Sequence, residues 1–205
     1  MNIKTACKRA WGSGVFFAVF LPYVVLAEPS GPSEWPAEAI VRFDATSTLH
    51  DFGGTVHAQP FMLQVSSNRW SAEGDVLSGM MNTASAKRDQ NMHEMFKTND
   101  YPQIHGKVAQ AAVPASGTTN AILSLKIRDQ EHDLPVVVSA WSETDSNVTF
   151  RAEWDVSLKQ FKLNPPSVLG VIRVGDVVHL SAGVSASKTA ALTNSAPALI
   201  VLPDK

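Results

Sequence analysis

Apolar and polar residues alternate one by one along most of this chain, and that period of two restricts its fold more than any other feature. Successive side chains of a β-strand point to opposite faces, so each alternating run predicts a strand with one apolar and one polar face. The runs recur near residues 41, 56–65, 72, 106, 124, 136, 152 and 181. Turn-rich stretches separate them, so the pattern predicts about eight strands in an antiparallel sandwich or barrel.

One stretch departs from the alternation. Met92, Met95 and Phe96 have the spacing that places side chains on one face of a helix, and no Gly or Pro interrupts them. Pro102 ends the stretch, because a proline restricts the residue before it to extended conformations. These residues predict a single short helix near 86–97, with Ser85 as its N-cap.

The N-terminus has the features of a secretory signal peptide. Basic residues precede an apolar run over 15–26, and residues 25–27 supply a small-residue cleavage pattern. We therefore expect residues 1–27 to be removed. The alternative is a membrane anchor, but the apolar run is shorter than the roughly 18 residues that a spanning helix needs.

Removal of that segment determines several properties of the mature chain. Cys7 is the one cysteine of the sequence, so the mature chain has no disulfide, thiolate metal site or cysteine nucleophile. The segment holds three of the 17 Lys and Arg and none of the 19 Asp and Glu, which leaves an acidic protein. We therefore expect neither nucleic acid nor an anionic membrane surface as a partner.

Composition sets the expected domain limits. Residues 28–37 are rich in Pro, Ser and Gly and predict a linker. Residues 38–187 carry the alternating runs and predict one domain. Residues 188–205 form a C-terminal tail whose apolar run, 198–202, is either a docked strand or a loose segment.

Motifs in and after the predicted helix resemble one known family. Arg88-Asp89 precedes Met92 and Phe96, and Tyr101-Pro102 with Ile104 leads into a strand. Downstream, the resemblance continues through residues 123–125, 134–136, 155–161 and 174–178. In this order the motifs are similar to those of the YceI-like family of bacterial lipid-binding, lipocalin-like barrels. Two positions depart from the family: Lys126-Ile127 replaces a His-Gly turn, and Gly106 stands where an aromatic residue is common.

The resemblance implies an eight-stranded antiparallel lipocalin-like β-barrel with the helix inserted. Such a barrel encloses either its own side chains or one small ligand. If the interior is hollow, the expected ligand-lining residues are Val41, Phe43, Phe61, Leu63, Met92, Met95, Phe96, Ile104, Gly106, Leu123, Leu125, Val136, Phe150 and Trp154. The alternative is that this apolar face is a packed core.

Candidate catalytic and metal-binding residues are few. The six histidines show no ligand spacing, so we expect no metal site; they are His50, His57, His93, His105, His132 and His179. Asp89 and His93 are four residues apart on the helix, where an acid–base pair and an ordinary surface contact are both compatible with the spacing. Arg88-Asp89 is either a capping salt bridge or part of an element that closes the barrel mouth.

The leading hypothesis is a periplasmic or secreted binding protein without enzymatic activity or cofactor. By the family resemblance, its ligand is a polyisoprenoid or an isoprenoid quinone. One alternative is a lipid-processing accessory enzyme that uses acidic or His residues at the barrel mouth, and another is a ligand-free structural or interaction module. The mature chain is not expected to span a membrane, and the sequence leaves a homodimer open.

Overall fold

The structure, a computed structural model, describes residues 32–165 and 173–188. Strands account for most of this region, with one α-helix and one short 3-10 helix between the fourth and fifth strands. The elements are β1 Ser33–Ser47, β2 Phe52–His57, β3 Phe61–Ser66, β4 Arg69–Leu77, the 3-10 helix Ser78–Met80, α1 Ala86–Phe96, β5 Gln103–Ala112, β6 Thr118–Ile127, β7 Gln130–Glu143, β8 Asn147–Ser157 and β9 Val174–Ser187.

The strands form one antiparallel sheet that closes on itself. Each strand from β3 to β9 pairs with the next, and β9 returns to pair with β1 from Ala37 to Ser47. On the other side of β1, β3 pairs with the first part and β2 with the second, so β2 and β3 share one position in the ring. Pro60 lies between them, where its missing N–H interrupts the ladder. The predicted eight-stranded antiparallel barrel with one short helix is confirmed.

The first strand begins earlier than the sequence predicted. β1 starts at Ser33, and Trp35 is a register partner of Leu63 in β3. The prediction of a linker over residues 28–37 is therefore wrong for residues 33–37. Their Ser, Glu and Pro residues are not typical of a strand, but the side chain of Trp35 points inward and is buried in the barrel.

One end of the barrel is filled by aromatic rings, and we call it the tryptophan end. The Phe150 ring centroid lies 5.1 Å from that of Trp70 and 5.0 Å from that of Trp141. Trp35 and Leu63 belong to the same buried cluster. Lys188 Nζ lies 5.0 Å from the Trp35 ring centroid and 2.6 Å from a Glu143 carboxylate oxygen, so the last described residue is held at this end.

The opposite end carries the longer connections and α1, and we call it the helix end. Phe161 and Leu163, which follow β8, are each 1% exposed and belong to a second buried cluster with Phe43 and Phe96. The His132 ring meets Phe161 edge to face at 4.9 Å. The segment after β8 thus supplies core side chains to the barrel wall, a role that the alternation did not reveal.

Helix α1 occupies the position that the spacing predicted. Ser85 is at the N-cap position, but its side chain makes no capping hydrogen bond. The approach to the helix is instead tied to β2, because Thr55 and Asn82 exchange backbone hydrogen bonds of 2.9 and 3.0 Å. Lys97 ends the helix in the left-handed conformation, with φ of 52°.

Several predictions concern residues outside the described ranges. The signal peptide over 1–27 and the tail beyond residue 188 both fall there. Both therefore stay predictions. Among the residues that are described, no helix is long and apolar enough to cross a membrane.

Candidate ligand cavity

The barrel encloses an apolar cavity of about 520 Å³. Inward-facing side chains of every strand line it, and α1 covers part of it. Its volume lies within the range of small-molecule sites in proteins. The interior is therefore hollow between the filled tryptophan end and the helix end.

The cavity exists because small residues occupy many of the inward positions. Ala39, Ala72, Ala152 and Ala182 all line it, and so do glycines 74 and 106. Gly74 and Gly106 are register partners on neighbouring strands; the Phe61 side chain packs against Gly74, whereas only the end of the Leu123 side chain lies near Gly106. Large side chains on the remaining inward positions do not reach far enough to fill the barrel. The cavity thus depends on the sizes of the inward side chains, and alternation predicts their direction but not their combined volume.

The cavity reaches solvent at the helix end. Leu49, His50 and Arg88 line it and are also exposed, with 61% of Leu49 accessible. Trp70 and Phe150 line it at the tryptophan end, where they belong to the filled cluster and form its floor. A long ligand would therefore enter between the β1–β2 turn and α1 and extend toward the aromatic floor.

One face of α1 borders the cavity. Arg88, Asn91, Met92 and Met95 all line it, and they recur at the three- and four-residue intervals of a helical face. The face changes from charged and polar in the first turn to apolar in the last, where buried Phe96 also lines the cavity. The helix therefore presents a polar end to the mouth and an apolar end to the interior.

The first turn of α1 is organised around Thr83 and not around an Arg–Asp pair. The Thr83 hydroxyl donates to Asp89 Oδ1 at 2.6 Å, and the Thr83 backbone N–H donates to the same oxygen at 2.9 Å. These bonds favour the ionised carboxylate, and the hydroxyl bond makes the largest contribution to lowering the pKa of Asp89. Arg88 Nη2 donates to the Thr83 carbonyl oxygen at 3.4 Å. The charge of Arg88 also contributes to lowering the pKa of Asp89, but the ion pairs of the described residues do not include Arg88 with Asp89, so the prediction of a capping salt bridge is wrong.

Comparison with solved structures identifies the fold. A crystal structure of BcnA from Burkholderia cenocepacia has 13% sequence identity and a TM-score of 0.60, over 72% of this chain and 95% of that chain. A polyisoprenoid-binding domain from Saccharophagus degradans, described as implicated in plant cell wall breakdown, has 12% identity and a TM-score of 0.56, over 76% of this chain and 98% of that chain.

The chain has the YceI-like fold. The fold expected from the sequence resemblance is therefore confirmed. No family model and no curated protein matches the sequence. At 12–13% identity, similarity to solved structures indicates the fold, and the ligand must be argued from the cavity itself.

The predicted lining residues of this YceI-like barrel come together, with one exception. The cavity is lined by Val41, Phe43, Phe61, Met92, Met95, Phe96, Ile104, Gly106, Leu123, Leu125, Val136, Phe150 and Trp154. Leu63 does not line it: the side chain is 0% exposed and packs in the cluster at the tryptophan end. The prediction that Leu63 lines the site is wrong, because the residues of β3 after Phe61 lie in the filled part of the barrel. That the other residues contact a ligand stays a prediction.

The candidate acid–base residues lie apart from the cavity. Asp89 and His93 border a separate depression with mostly polar lining residues on another face of α1, and neither lines the barrel interior. The Asp89 carboxylate accepts a hydrogen bond from the Thr83 hydroxyl, and His93 Nε2 is buried without a hydrogen-bond partner in the structure. Within the described ranges, no three His, Cys, Asp or Glu side chains come together as a metal site.

Sequence reasoning missed Arg88 and Asn91 as cavity-lining residues. They share the helical face of Met92 and Met95, so the spacing that selected the methionines contains the signal for them too. Their polar side chains do not contribute to the apolar pattern that predicts a cavity lining. A polar residue one turn before an apolar helical face is therefore a candidate for the mouth of such a cavity.

Thr83→Val is expected to lower the free energy of unfolding by about 1–2 kcal/mol at pH 7, because Asp89 loses a charge-assisted hydrogen bond from a buried donor. Since the pKa of Asp89 is lowered in the folded protein, this stabilisation is present above about pH 4 and is lost as the pH falls through the folded pKa. Urea unfolding at pH 7 and pH 3 should therefore show a smaller difference from wild type at the lower pH.

The matched control for this experiment is Ser85→Ala. Ser85 is at the N-cap position, but its side chain makes no capping hydrogen bond. Its substitution should change stability by less than about 0.5 kcal/mol. Equal losses for Thr83→Val and Ser85→Ala would contradict the role assigned to Thr83.

Proposed function

We propose that this chain is an exported lipid-binding protein that holds one long apolar molecule, a polyisoprenoid or an isoprenoid quinone, inside the barrel. The observation that carries the proposal is the apolar cavity of about 520 Å³ along the barrel interior. A neighbour with the same fold is described as a polyisoprenoid-binding domain, and this supports the choice of ligand class. The function is sequestration and not chemical conversion.

Burial alone is sufficient to retain such a ligand. Each CH₂ group moved from water into an apolar site contributes about 0.8 kcal/mol. The middle of the cavity is lined by aliphatic and aromatic side chains such as Ile104, Leu123 and Trp154, which match a methyl-branched chain in polarity. Glu73 and Asp75 also border it, but their carboxylates pair with Lys107 and His105. The site thus favours hydrocarbon along most of its length.

The two alternative functions are less well supported. A lipid-processing enzyme that used Asp89 or His93 would need these groups beside the ligand, whereas neither of them lines the cavity. A ligand-free module would be expected to fill its interior with its own side chains. The size of the cavity argues against that arrangement.

Export is part of the proposal because of the N-terminal sequence. Residues 1–27 have the basic, apolar and small-residue regions of a secretory signal, and residues 28–205 would form the mature chain. We infer a periplasmic or secreted location. The absence of cysteine after Cys7 is compatible with that location because folding there does not require a disulfide.

Mass spectrometry of the protein purified from its exported fraction tests the proposal. We expect one equivalent of an isoprenoid lipid in the organic extract, and an intact mass that begins at Glu28. The matched control is the lipid extract of the whole fraction, which shows whether the bound species is enriched. A purified protein that carries no enriched apolar lipid would contradict binding, and an intact N-terminus in the membrane fraction would contradict export.

A further inference from the structure

Arg88 combines a position at the cavity mouth with a positive charge that forms none of the ion pairs found among the described residues. Among the described residues that line the cavity, Arg88 is the one Lys or Arg. Its side chain is exposed, so the guanidinium meets both the cavity and the surrounding water. An amphipathic ligand whose chain fills the barrel would place its head in this region.

The guanidinium is held in place by an aromatic ring and by Thr83. Its Cζ lies 5.1 Å from the centroid of the Phe52 ring, a cation–π distance. Nε and Nη2 donate to the Thr83 hydroxyl and carbonyl oxygens at 3.5 and 3.4 Å, which are long bonds. Since a guanidinium has five N–H donors, this arrangement leaves donors for a further acceptor.

No carboxylate within the described region forms an ion pair with the guanidinium. The carboxylate of Asp89, the sequence neighbour, accepts its hydrogen bonds from Thr83, and the charge of Arg88 adds to these bonds in lowering the pKa of Asp89. The carboxylates that border the cavity, Glu73 and Asp75, pair with Lys107 and His105. The ion pairs found among residues 32–165 and 173–188 do not include Arg88.

The same helical face provides a gradient that matches an amphipathic molecule. Arg88 is followed on that face by the amide of Asn91 and then by the thioethers of Met92 and Met95. His50, which is exposed on the facing β1–β2 turn, also lines the mouth. A charged group near Arg88 would therefore be continuous with an apolar path into the barrel.

We propose that Arg88 binds the oxyanion head, a phosphate or carboxylate, of an amphipathic lipid whose chain occupies the cavity. The planar guanidinium matches the geometry of both oxyanions and can bind them through two parallel hydrogen bonds. This inference rests on the proposed lipid-binding function and narrows its ligand class to lipids with an anionic head. Arg88 then selects the ligand and sets its orientation, with the head at the helix end and the chain toward Trp70.

Paired ligands with identical chains test the proposal. Geranylgeranyl monophosphate and geranylgeraniol differ in the head alone, and a change in tryptophan fluorescence, to which Trp70 and Trp154 of the cavity lining contribute, reports binding of either. Wild type should bind the phosphate at least about tenfold more tightly than the alcohol. Arg88→Gln should remove this preference, while Arg88→Lys should restore part of it.

Lys87→Gln is the matched control. Lys87 is the adjacent cation, is exposed and lies outside the cavity lining, so its loss should leave the preference for phosphate unchanged. Raising the salt concentration should weaken binding of the phosphate and not of the alcohol. This measurement on wild type tests the proposal even if Arg88→Gln does not fold.

The outcomes separate this proposal from the proposed function. Equal binding of alcohol and phosphate by wild type, or a preference that survives in Arg88→Gln, would overturn the headgroup site and leave lipid binding intact. Competition by millimolar inorganic phosphate against the lipid phosphate would show a site for a free anion and would also overturn it. Failure of wild type to bind either lipid would contradict the proposed function itself.

Discussion

Phe96→Ala should lower the free energy of unfolding by about 3–5 kcal/mol, the range for removing a buried phenyl ring. Phe96 is 8% exposed and belongs to the buried cluster at the helix end together with Phe43, Val56 and Phe161. Its ring is the largest apolar group of α1 and the buried residue of that helix. Removing it leaves a space that joins the existing cavity, so the surrounding side chains have no complementary surface against which to collapse. Urea unfolding followed by circular dichroism measures the change.

Met80→Ala is the matched control for that substitution. Met80 is in the 3-10 helix that precedes α1, and 66% of its side chain is exposed. Its truncation should change stability by less than about 0.5 kcal/mol. A similarly small change for Phe96→Ala would show that α1 does not pack on the barrel, and the cavity would then be open along the region that the helix covers.

Gly106→Phe should abolish or strongly weaken binding of a long apolar ligand while the melting temperature stays equal or rises. A Cβ atom added at Gly106 would meet only Leu123 Cδ1, at 3.3 Å, and this atom is the end of a flexible side chain. The ring would extend into the cavity that Gly106 lines, next to Gly74 on the neighbouring strand β4. Filling the void removes ligand volume and adds buried apolar surface to the folded protein.

Gly183→Phe provides the matched control on the outside of the barrel. Gly183 is exposed in β9, and an added Cβ atom would meet no atom within 4 Å. Both variants place a phenyl ring at a strand glycine, so they differ in whether the ring lies on the inner or the outer face of the barrel. Isothermal titration with a prenyl lipid should show loss of binding for Gly106→Phe and wild-type binding for Gly183→Phe.

Two results would contradict this account of the cavity. Unchanged lipid binding in a stably folded Gly106→Phe protein would place the ligand away from residue 106. A loss of stability of about 1–3 kcal/mol, the usual effect of forcing a ring into a packed core, would show that the space is already filled. The melting temperature and the binding isotherm of the same variant therefore distinguish a hollow interior from a packed one.

The alternation of residues was sufficient to predict about eight antiparallel strands, because each strand has a buried and an exposed face, and the family resemblance then selected a barrel over a sandwich. The predicted strand near 124 is β6, whose inward residues include Leu123 and Leu125. The helix was predictable for the corresponding reason, since three- and four-residue spacing is incompatible with a strand. The start of β1 was not, because Pro36 and its polar neighbours have the composition of a linker.

Side-chain partners of polar residues depended on the tertiary structure. The sequence placed Asp89 beside Arg88 and four residues before His93, and either could have been its partner. In the fold Asp89 accepts from Thr83, six residues earlier, because the backbone before α1 turns back along the helix start. That turn follows from the attachment of Asn82 to Thr55 of β2. Hydrogen bonds set by such a contact leave no periodic signal.

The sequence by itself determined the alternating segments, the face of each that points inward and the position of the one helix, although the run over 56–65 forms two strands, β2 and β3. Only the tertiary structure decided where the interior is filled and where it is hollow. Leu63 and Leu123 are the same residue type on the inward face of alternating strands, yet Leu63 packs at the tryptophan end and Leu123 lines the cavity. Whether an inward side chain is packed depends on the residues across the barrel from it. Aromatic rings lie near Leu63, whereas small residues line other parts of the barrel wall. Alternation records direction, whereas a cavity depends on the summed volume of side chains that are distant in sequence.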